Sequence, residues 1–481
     1  MPRPQGLPLA TQSRRIGPTV PSAVPADHFQ EGRDLRRHQS DGLESQLLRR
    51  FSLQLSEFKA MPRTIAVICA LNFAVTMVPL VFGPCPAVAQ MAATPPGVGG
   101  PRFRADGPNS DTFGRNEGYP SCKGLAYVGE ARCRVGALSH YDTLFPARAI
   151  AAAKQPIQLP RAASEPVIRY TFAGLDLTLD NYLDRHPVTG LLIAKGDTIL
   201  VERYQYGRTD ADRLTSFSVA KTIVGLLIGI AIKEGTIGSV DDPAEVYVLG
   251  LKDTEYGRTP IKALLQMSSG VAFSENYADT SSDIYTLARL TLEQDPGGSL
   301  AAVKRFDTRR AAPGELFSYS SADTVVLGLV LAAATRRTIA DYASEKLWQP
   351  LGAEAEATWN IDATGQEITY AYVNAVLRDW ARLGLMLAHR GTWFGRTVVA
   401  DEWLTASAAS SMQTGSPLAR YGYQVWLSAD TRRFLLQGLR GQFVLVDPDT
   451  KLVLVQTALS SSDFAMSELV ALWTATRAQL R

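Results

Sequence analysis

The stretch TSFSVAKTIVGLLIGIAIKEG, residues 215–235, carries a hydroxyl and an amine at the start of an apolar run. Ser218 and Lys221 are three positions apart, and helix residues at this spacing share one face with their Cβ atoms about 5–6 Å apart. Thr215 and Ser216 carry hydroxyls just before the helix, so we expect one of them to cap it. This spacing predicts that the Lys221 amine reaches the Ser218 hydroxyl.

The rest of the stretch is apolar on nearly every side, which is typical of a buried helix. Burial disfavours the charged form of an amine, so it lowers the pKa of Lys221 from an ordinary value of about 10.4. A neutral amine can accept the proton of Ser218, and the positive end of the helix dipole favours the alkoxide that forms. The alternative is a capping serine beside a lysine that reaches solvent, because S-x-x-K is common by chance.

A second element is PGELFSYSSADTVVLGLVL, residues 313–331. It places Tyr319 and Ser321 in a loop just before another apolar helix. A tyrosine hydroxyl near a lysine can relay protons between a nucleophile and a leaving group. The alternative is a tyrosine whose ring packs on the core and whose hydroxyl lies at the surface.

A third element is LLQGLRGQFVLVDPDTKLVLV, residues 435–455, in which Gly438 and Gly441 lie beside and within a predicted strand. Glycine in a strand permits close approach of a ligand to the backbone. A backbone N–H at Gly441 or Gln442 can therefore donate a hydrogen bond to an oxyanion. The alternative is a bulge or a hairpin corner without function.

Regular patterns begin near residue 165. The segment GLLIAKGDTILVERYQYG, residues 190–207, reads as two strands joined at Gly196-Asp197, and a second hairpin turns at Pro448-Asp449. Residues 463–481 have helical spacing, and the middle of the chain is largely helical. We predict an α+β fold over residues 166–481, with an antiparallel sheet flanked by helices and a mostly helical subdomain.

The 481-residue chain has 49 basic and 47 acidic residues, so its net charge of +2 lacks the basic excess that is typical of nucleic-acid-binding proteins. Residues 1–60 have the composition of a disordered tail, and Met61 is an alternative start. Residues 61–89 read as a signal peptide ending in the small-residue site Ala87-Val88-Ala89. We expect a periplasmic or secreted protein that meets the membrane only through this segment, or an inner-membrane anchor if the segment is retained.

Residues 90–165 read as a linker and an N-terminal extension, because residues 90–120 are rich in Pro, Gly and Asn. Cleavage after Ala89 leaves Cys122 and Cys133 as the remaining cysteines. In an oxidising compartment they can pair, which stabilises such a short loop by roughly 3 kcal/mol. Two free thiols are the alternative.

Together these motifs resemble the serine β-lactamase and penicillin-binding-protein superfamily, and within it the class C type branch that includes 6-aminohexanoate-dimer hydrolases. The resemblance runs from about Tyr119 to the C-terminus. It is carried by SVAK at 218–221, LLQMSSGVAFSENYADTSSDI at 264–284, FSYSSADTVVLG at 317–328, WQPLGAEAEATWNID at 348–362 and NAVLRDWARLG at 374–384.

The resemblance implies a β-lactamase/transpeptidase-like fold and a role for each matching residue. Ser218 would be the acylated nucleophile, Lys221 its general base and Tyr319 the second proton-transfer residue. Tyr277 falls where the dimer hydrolases have a tyrosine that holds the substrate amide. The N–H groups of Ser218 and of the strand near Gln442 would form the oxyanion hole.

Two departures from the superfamily pattern bear on the substrate. The Tyr-x-Asn motif reads Tyr319-Ser320-Ser321, so a side-chain amide is replaced by the Ser321 hydroxyl, which can still hydrogen-bond. The Lys-Thr-Gly triplet, which helps hold the carboxylate of β-lactams, is replaced by Gly438-Leu439-Arg440-Gly441. Arg440 can supply the charge but not the geometry. These departures favour a linear amide or ester.

Other chemistries lack support in the sequence. It contains no G-x-S-x-G elbow, H-E-x-x-H motif or P-loop, and none of its five histidines lies in a recognisable catalytic context. We predict an exported serine hydrolase of small-molecule amides or esters, without a metal or organic cofactor. A β-lactamase or D,D-peptidase is the first alternative and a non-catalytic penicillin-binding-like protein the second. The oligomeric state stays open.

Overall fold

The computed structural model describes residues 103–417, 419–460 and 462–481. All of them belong to one unit of the chain. The predicted tail over residues 1–60 and the predicted signal peptide over residues 61–89 lie outside the described residues.

Strands of two to eight residues form four antiparallel sheets within the described residues. They are β1 (Ala147–Ile150), β2 (Arg169–Phe172), β3 (Leu175–Thr178), β4 (Val188–Lys195), β5 (Thr198–Tyr204), β6 (Leu214–Thr215), β7 (Ala357–Asn360), β8 (Val373–Ala375), β9 (Thr392–Trp393), β10 (Arg396–Thr397), β11 (Met412–Gln413), β12 (Ala419–Tyr421), β13 (Trp426–Ser428), β14 (Phe434–Gly438), β15 (Gln442–Asp447) and β16 (Leu452–Ala458). The largest sheet has eight strands in the order β11-β12-β13-β14-β15-β16-β4-β5, and a second has four in the order β1-β7-β8-β6.

The α-helices lie before, between and after these strands. They are α1 (Arg134–Ser139), α2 (Tyr141–Leu144), α3 (Leu179–Arg185), α4 (Val219–Lys233), α5 (Ile261–Leu265), α6 (Asp283–Leu292), α7 (Gly298–Val303), α8 (Ser321–Thr335), α9 (Ile339–Ala343), α10 (Leu377–Ala388), α11 (Asp401–Ala409) and α12 (Asp463–Gln479). A π-helical turn at Ser344–Trp348 follows α9. Short 3₁₀ turns occur at Arg115–Glu117, Ala126–Val128, Ala131–Cys133, Ala244–Val246 and Leu249–Leu251.

The centre of the eight-stranded sheet is built from two tight hairpins. β4 and β5 pair around Gly196-Asp197, with Lys195 opposite Thr198. β15 and β16 pair around a turn that begins at Pro448, with Asp447 opposite Leu452. Every residue of β15 and β16 is buried, so these strands need helices on both faces. Both predicted hairpins are therefore present in the structure.

Helices cover the two faces of this sheet. α10 packs on β4, β15 and β16. On the other face, Leu472 and Trp473 of α12 join a second apolar cluster with sheet residues such as Leu454. α4 packs against β14 and α8, and all its residues from Val219 to Ala231 are buried. The predicted α+β architecture is therefore present, and the largely helical part lies between β6 and β7.

The N-terminal extension packs against the domain. Phe113 lies 5.6 Å, ring to ring, from Tyr206, and the Tyr206 hydroxyl donates to the carbonyl of Pro108 at 2.7 Å. β1 pairs along its length with β7. The described part of the predicted linker, residues 103–120, is thus part of the folded domain. Its Pro, Gly and Asn content indicated a linker, but buried aromatic side chains attach it.

Cys122 and Cys133 form a disulfide, with their Cα atoms 5.5 Å apart. The pair encloses a ten-residue segment, residues 123–132, which we call the stapled segment. Of the two alternatives left open by the sequence, the structure has the bonded pair. Within the described residues, no helix is both long enough and apolar enough to cross a membrane.

Candidate active site

Ser218 lies at the N-terminus of α4, at the end of a tight turn that follows β6. It is the N-cap residue of the helix, and its side chain makes no capping hydrogen bond. The expected cap by Thr215 or Ser216 is wrong, because the Ser216 hydroxyl donates to the carbonyl of Phe217 at 2.9 Å. The backbone N–H of Val373 in turn donates to the Ser216 hydroxyl at 3.0 Å. Ser218 is left half-buried, with its hydroxyl available to other partners.

The turn that presents Ser218 is strained at Phe217. Its φ of 41° is in the left-handed region, which costs on the order of 1–3 kcal/mol for a residue with a bulky side chain. The buried ring of Phe217 lies 6.0 Å from the ring of Tyr372 and 6.3 Å from that of Tyr141. Aromatic packing therefore holds the backbone in the conformation that exposes the next residue.

Lys221 lies one helical turn below Ser218 and is only 1% exposed. Its Nζ donates to the Ser218 Oγ at 2.9 Å, to the Ser321 Oγ at 3.1 Å and to the carbonyl of Tyr370 at 2.9 Å. Burial lowers the pKa of Lys221 from 10.5 to about 8, against the opposing charge of Glu275. Since none of its three bonded partners carries a charge, the amine can become neutral near physiological pH.

Tyr319 lies beside this pair, in the segment that leads into α8. Its ring stacks on Trp426 at 5.6 Å, and the Lys221 Nζ lies 5.0 Å from its centroid. Burial raises the pKa of the Tyr319 hydroxyl, and a hydrogen bond with Ser218 opposes this rise. Tyr319 thus keeps its proton and can pass one to or from the Ser218 side.

Ser321 is buried at the start of α8 and links Lys221 to a carboxylate. Its hydroxyl donates to Glu275 Oε1 at 2.9 Å, and its backbone N–H donates to Glu275 Oε2 at 2.6 Å. The Tyr277 hydroxyl also donates to Glu275 Oε1. Glu275 therefore holds Ser321 and Tyr277 in place. The sequence analysis missed Glu275 as a site residue, although it lies two positions before Tyr277, because its partner Ser321 is 46 positions away.

These groups open on a cleft of about 390 Å³, a size that suits a small organic molecule. Ser218, Ser321 and the 40%-exposed Tyr277 all contribute to its lining. Much of the remaining lining is aromatic or aliphatic. The other aromatic lining residues are Tyr127, Phe217, Tyr285, Tyr370 and Tyr372.

The end of β14 passes next to the Ser218 turn. A Cβ added to Gly438 would meet the carbonyl oxygen of Ser216 at 2.3 Å, so a side chain at this position would displace one of the two segments. Leu439, the next residue, lines the cleft together with Ser218. The backbone closest to Ser218 from this strand is therefore at Gly438-Leu439.

Gln442 lies opposite Gly438 in the pairing of β14 with β15, and Gly441 precedes it in the turn between the two strands. Neither belongs to the cleft lining that the described residues form. Gly441, with a φ of 88°, is in the hairpin turn rather than within a strand, and the Gln442 Nε2 donates to the carbonyl of Ala458 at 2.7 Å. The structure brings together Ser218, Lys221, Tyr319, Tyr277 and Ser321, but not these two. The sequence pattern does not reveal which glycine of Gly438-Leu439-Arg440-Gly441 ends the strand.

No metal-binding cluster is apparent near Ser218 in the part of the chain that the structure describes. The group that meets a metal-ligand spacing there is Cys122, Glu130 and Cys133. Both sulfurs are joined to each other, so neither is a free thiolate ligand. The chemistry available at the cleft is that of a hydroxyl, an amine, a phenol and backbone N–H groups. This set is suited to acyl transfer.

Comparisons with known proteins identify similar sequences and a similar fold. The beta-lactamase family model matches residues 175–479. The 6-aminohexanoate-dimer hydrolase of Paenarthrobacter ureafaciens is 28% identical over 311 residues, which cover 62% of this chain and 79% of that protein. A Bacillus anthracis structure, provisionally assigned as a 6-aminohexanoate-dimer hydrolase, shares the fold with a TM-score of 0.66 at 20% identity. That match covers 77% of this chain and 98% of the other.

The resemblance inferred from the motifs is thereby confirmed. The matched region contains the S-x-x-K pair, the Tyr319 segment and the Gly438 strand, and it spans most of the folded part of the chain. Since the family match covers more than half of the sequence, this chain belongs to the β-lactamase family, within the superfamily of serine β-lactamases and penicillin-binding proteins.

Proposed function

We propose that this chain is a serine hydrolase that cleaves linear amide or ester bonds through an acyl-enzyme on Ser218. One observation carries the proposal: the buried Lys221 amine lies 2.9 Å from the Ser218 Oγ, and burial lowers its pKa to about 8. About a tenth of the enzyme at pH 7, and about half at pH 8, then holds a neutral base within hydrogen-bond distance of the nucleophile.

In the acylation step, Lys221 accepts the proton of Ser218 while the Oγ attacks the substrate carbonyl carbon. The N–H groups of Ser218 and Leu439 are the donors proposed for the oxyanion, because the Gly438-Leu439 backbone lies against the Ser218 turn. Collapse of the tetrahedral intermediate breaks the bond to the amine or alcohol. Tyr319 protonates that leaving group and regains a proton from Lys221.

In the deacylation step, a water molecule replaces the leaving group in the cleft. Lys221 accepts a proton from this water through the Tyr319 hydroxyl, which passes its own proton to Lys221 and takes one from the water as the water oxygen attacks the acyl carbon. The bond to the Ser218 Oγ then breaks, Ser218 regains its proton, and a carboxylic acid leaves. The proposed cycle consumes one water molecule and leaves the enzyme unchanged.

The preference for a linear substrate has two supports. The relative from Paenarthrobacter ureafaciens is named as a 6-aminohexanoate-dimer hydrolase. The strand next to Ser218 reads Gly438-Leu439-Arg440-Gly441 in place of Lys-Thr-Gly, so the hydroxyl that helps hold a β-lactam carboxylate is missing. The alternatives are β-lactamase or D,D-peptidase activity and a non-catalytic role. Probe labelling and a substrate panel distinguish them from hydrolysis of linear substrates.

Activity-based labelling tests the nucleophile directly. We expect a fluorophosphonate probe to label the wild-type protein, and mass spectrometry to place the label on the peptide that contains Ser218. A panel of p-nitrophenyl esters, linear amides and nitrocefin then ranks the substrates, with esters and linear amides turned over faster than nitrocefin. Absence of labelling and turnover across the panel would favour a non-catalytic protein, and faster nitrocefin turnover a β-lactamase.

The proposal includes export to the periplasm or the outside of the cell. The Cys122–Cys133 disulfide supports it, because disulfides persist in oxidising compartments. N-terminal sequencing of the protein recovered from separated cell fractions tests it. We expect the mature chain to begin at Gln90, and recovery of an uncleaved chain in the cytosol would contradict export.

A further inference from the structure

Gln424 is a buried residue in the turn between β12 and β13. It is 1% exposed, and its φ of 59° lies in the left-handed region, which is unfavourable for a residue with a long side chain. Its backbone N–H donates to the carbonyl of Leu265, in α5, at 2.8 Å. Its other polar groups bond to segments that carry the groups around Ser218.

The first of these segments is α4, which carries Lys221. The hydroxyl of Thr222, the residue after Lys221, donates to the Gln424 carbonyl at 2.9 Å. A Cβ added to Gly225 of the same helix would meet the Tyr423 carbonyl oxygen at 2.6 Å and the Gln424 Cβ at 2.9 Å. The turn therefore packs so tightly on α4 that a side chain at position 225 would push the two apart.

The second segment is α8, which carries Ser321. The hydroxyl of Thr324, three positions after Ser321, donates to the Gln424 Oε1 at 2.7 Å. Both Thr324 and Gln424 are buried, so water cannot replace this hydrogen bond if it is lost. One residue thus bonds to both of the helices whose side chains meet at the Lys221 amine.

The third segment follows α5 and supports the loop before α8. The Gln424 Nε2 donates to the carbonyl of Leu264, in α5, at 2.9 Å. Three positions after Leu264, the Met267 carbonyl accepts from the N–H of Ser318 at 2.7 Å, and its sulfur accepts from the N–H of Ser320 at 3.3 Å. Those two residues flank the proposed proton-transfer tyrosine. Gln424 therefore also anchors the segment that holds this tyrosine.

We propose that Gln424 is a positioning residue that sets the spacing between α4 and α8, and with it the contact between Lys221 and Ser321. The inference rests on the proposed function. Gln424 does not belong to the cleft lining that the described residues form, so it acts through the Lys221 Nζ and the Ser321 Oγ, which lie 3.1 Å apart. A misplacement of about 1 Å in such a contact can lower a rate by about 10²-fold.

Variants of Thr324 test this role with little change in side-chain size. Thr324→Val removes the link to Gln424, and we expect kcat for a p-nitrophenyl ester to fall about tenfold while KM stays within about twofold of wild type. Thr324→Ser retains the hydroxyl and should retain kcat within about threefold of wild type. Thr335→Val is the control, because the Thr335 hydroxyl bonds to the carbonyl of Leu331 in its own helix at 2.7 Å.

A double-mutant cycle assigns the effect to the contact between Thr324 and Gln424. Gln424→Leu removes the same hydrogen bond from the other side, so the double variant should lose no more kcat than Gln424→Leu alone. If Gln424→Leu does not fold, the contrast between Thr324→Val and Thr324→Ser decides the question. Additive losses of kcat, or a lower melting temperature with unchanged kcat in Thr324→Val, would overturn the proposal.

Titration of Lys221 separates this inference from the proposed function. If no substrate is turned over, the proposed reaction fails, and NMR of lysine labelled with ¹³C at Cε follows the Lys221 signal, which is identified by its absence from Lys221→Met. Thr324→Val should move its midpoint to lower pH by at least about half a unit, because the charged amine loses the Ser321 hydroxyl as an acceptor.

The charge of Glu275 acts in the same direction. It raises the pKa of Lys221, and Glu275 is bonded to Ser321, so a displaced Ser321 also weakens that effect. Thr335→Val should leave the midpoint unchanged. An unchanged midpoint in Thr324→Val would show that Gln424 does not position the amine.

Discussion

The floor and the wall of the cleft are built in opposite ways. The floor consists of Ser218, Lys221 and Ser321, which lie on two buried helices and are joined by hydrogen bonds of 2.9–3.1 Å. The wall consists of the stapled segment and Arg134, which carry positive charge at a half-buried rim. Burial favours the neutral form of an amine, whereas a guanidinium group that water reaches stays charged. The two regions therefore differ in whether their cations can act as bases.

The largest effect is expected from removing the hydroxyl of the floor. Ser218→Ala should lower kcat/KM for a p-nitrophenyl short-chain ester by at least about 10⁴-fold, because no acyl-enzyme can form. Stopped assays with the purified variant measure it. Ser281→Ala, a surface serine bonded to Asp279, is the control and should keep wild-type activity. Wild-type activity in Ser218→Ala would show that Ser218 is not the nucleophile.

Loss of the base comes next. Lys221→Met keeps the length and burial of the side chain, and should lower kcat by about 10³-fold because Ser218 loses its proton acceptor. Lys233→Met, at the exposed end of the same helix, is the control. Residual activity within tenfold of wild type would contradict the role of the amine.

The pH dependence of the wild-type enzyme follows from the same group. The neutral amine is the active form, and the pKa of Lys221 is lowered to about 8. The value of kcat/KM should fall about tenfold for each pH unit below 8 and become constant above it. A profile that is flat between pH 6 and 9 would show that a different group sets the rate.

Gly438→Ala tests the contact between the end of β14 and the turn that presents Ser218. The added Cβ would meet the Ser216 carbonyl oxygen at 2.3 Å and push the Leu439 N–H away from the oxyanion position. Loss of one oxyanion donor should lower kcat by about 10²-fold. Gly129→Ala, in the stapled segment with nothing within 4 Å of its added Cβ, is the control. Unchanged kcat in Gly438→Ala would exclude this strand from the oxyanion hole.

A smaller effect is expected at the positioning residue Glu275. Glu275→Gln weakens the two hydrogen bonds from Ser321 and should lower kcat by about tenfold, through loss of the geometry around Lys221. Asp279→Asn, an exposed carboxylate of the same loop, is the control. A purely structural role would lower the melting temperature without moving the pH profile, so both are measured.

The smallest effect is expected from breaking the disulfide of the stapled segment. Replacing both Cys122 and Cys133 by serine removes a link that contributes up to about 3 kcal/mol of stability, so the melting temperature should fall by a few degrees. KM should rise a few-fold while kcat stays within twofold of wild type, because Leu125, Tyr127 and Val128 of the segment line the cleft and none of them is a proposed reacting group. A loss of kcat with an unchanged KM would mean that the stapled segment also positions the reacting groups around Ser218.

Local spacing along the chain is sufficient to predict the arrangement of Ser218 and Lys221. Ser218 and Lys221 are on one helical face because the backbone repeats every 3.6 residues, and the apolar residues that follow predict the dry surroundings of the amine. The hairpin at Gly196-Asp197 and the helix over residues 463–481 were predictable for the same reason. Such features depend on neighbours a few positions apart, so the order of residues is sufficient to predict them.

Contacts between distant segments account for the rest. Glu275 reaches Ser321 across 46 positions, and Arg134 meets Arg440 across 306. The β14–β15 hairpin places Gly438 against the Ser216 carbonyl and Leu439 in the cleft lining, whereas Gly441 and Gln442 lie outside that lining. Composition alone likewise indicated a linker where residues 103–120 pack on the domain. Side chains from separate elements meet only after the sheet and helices have packed, because burial of apolar surface, rather than any local pattern, brings those elements together.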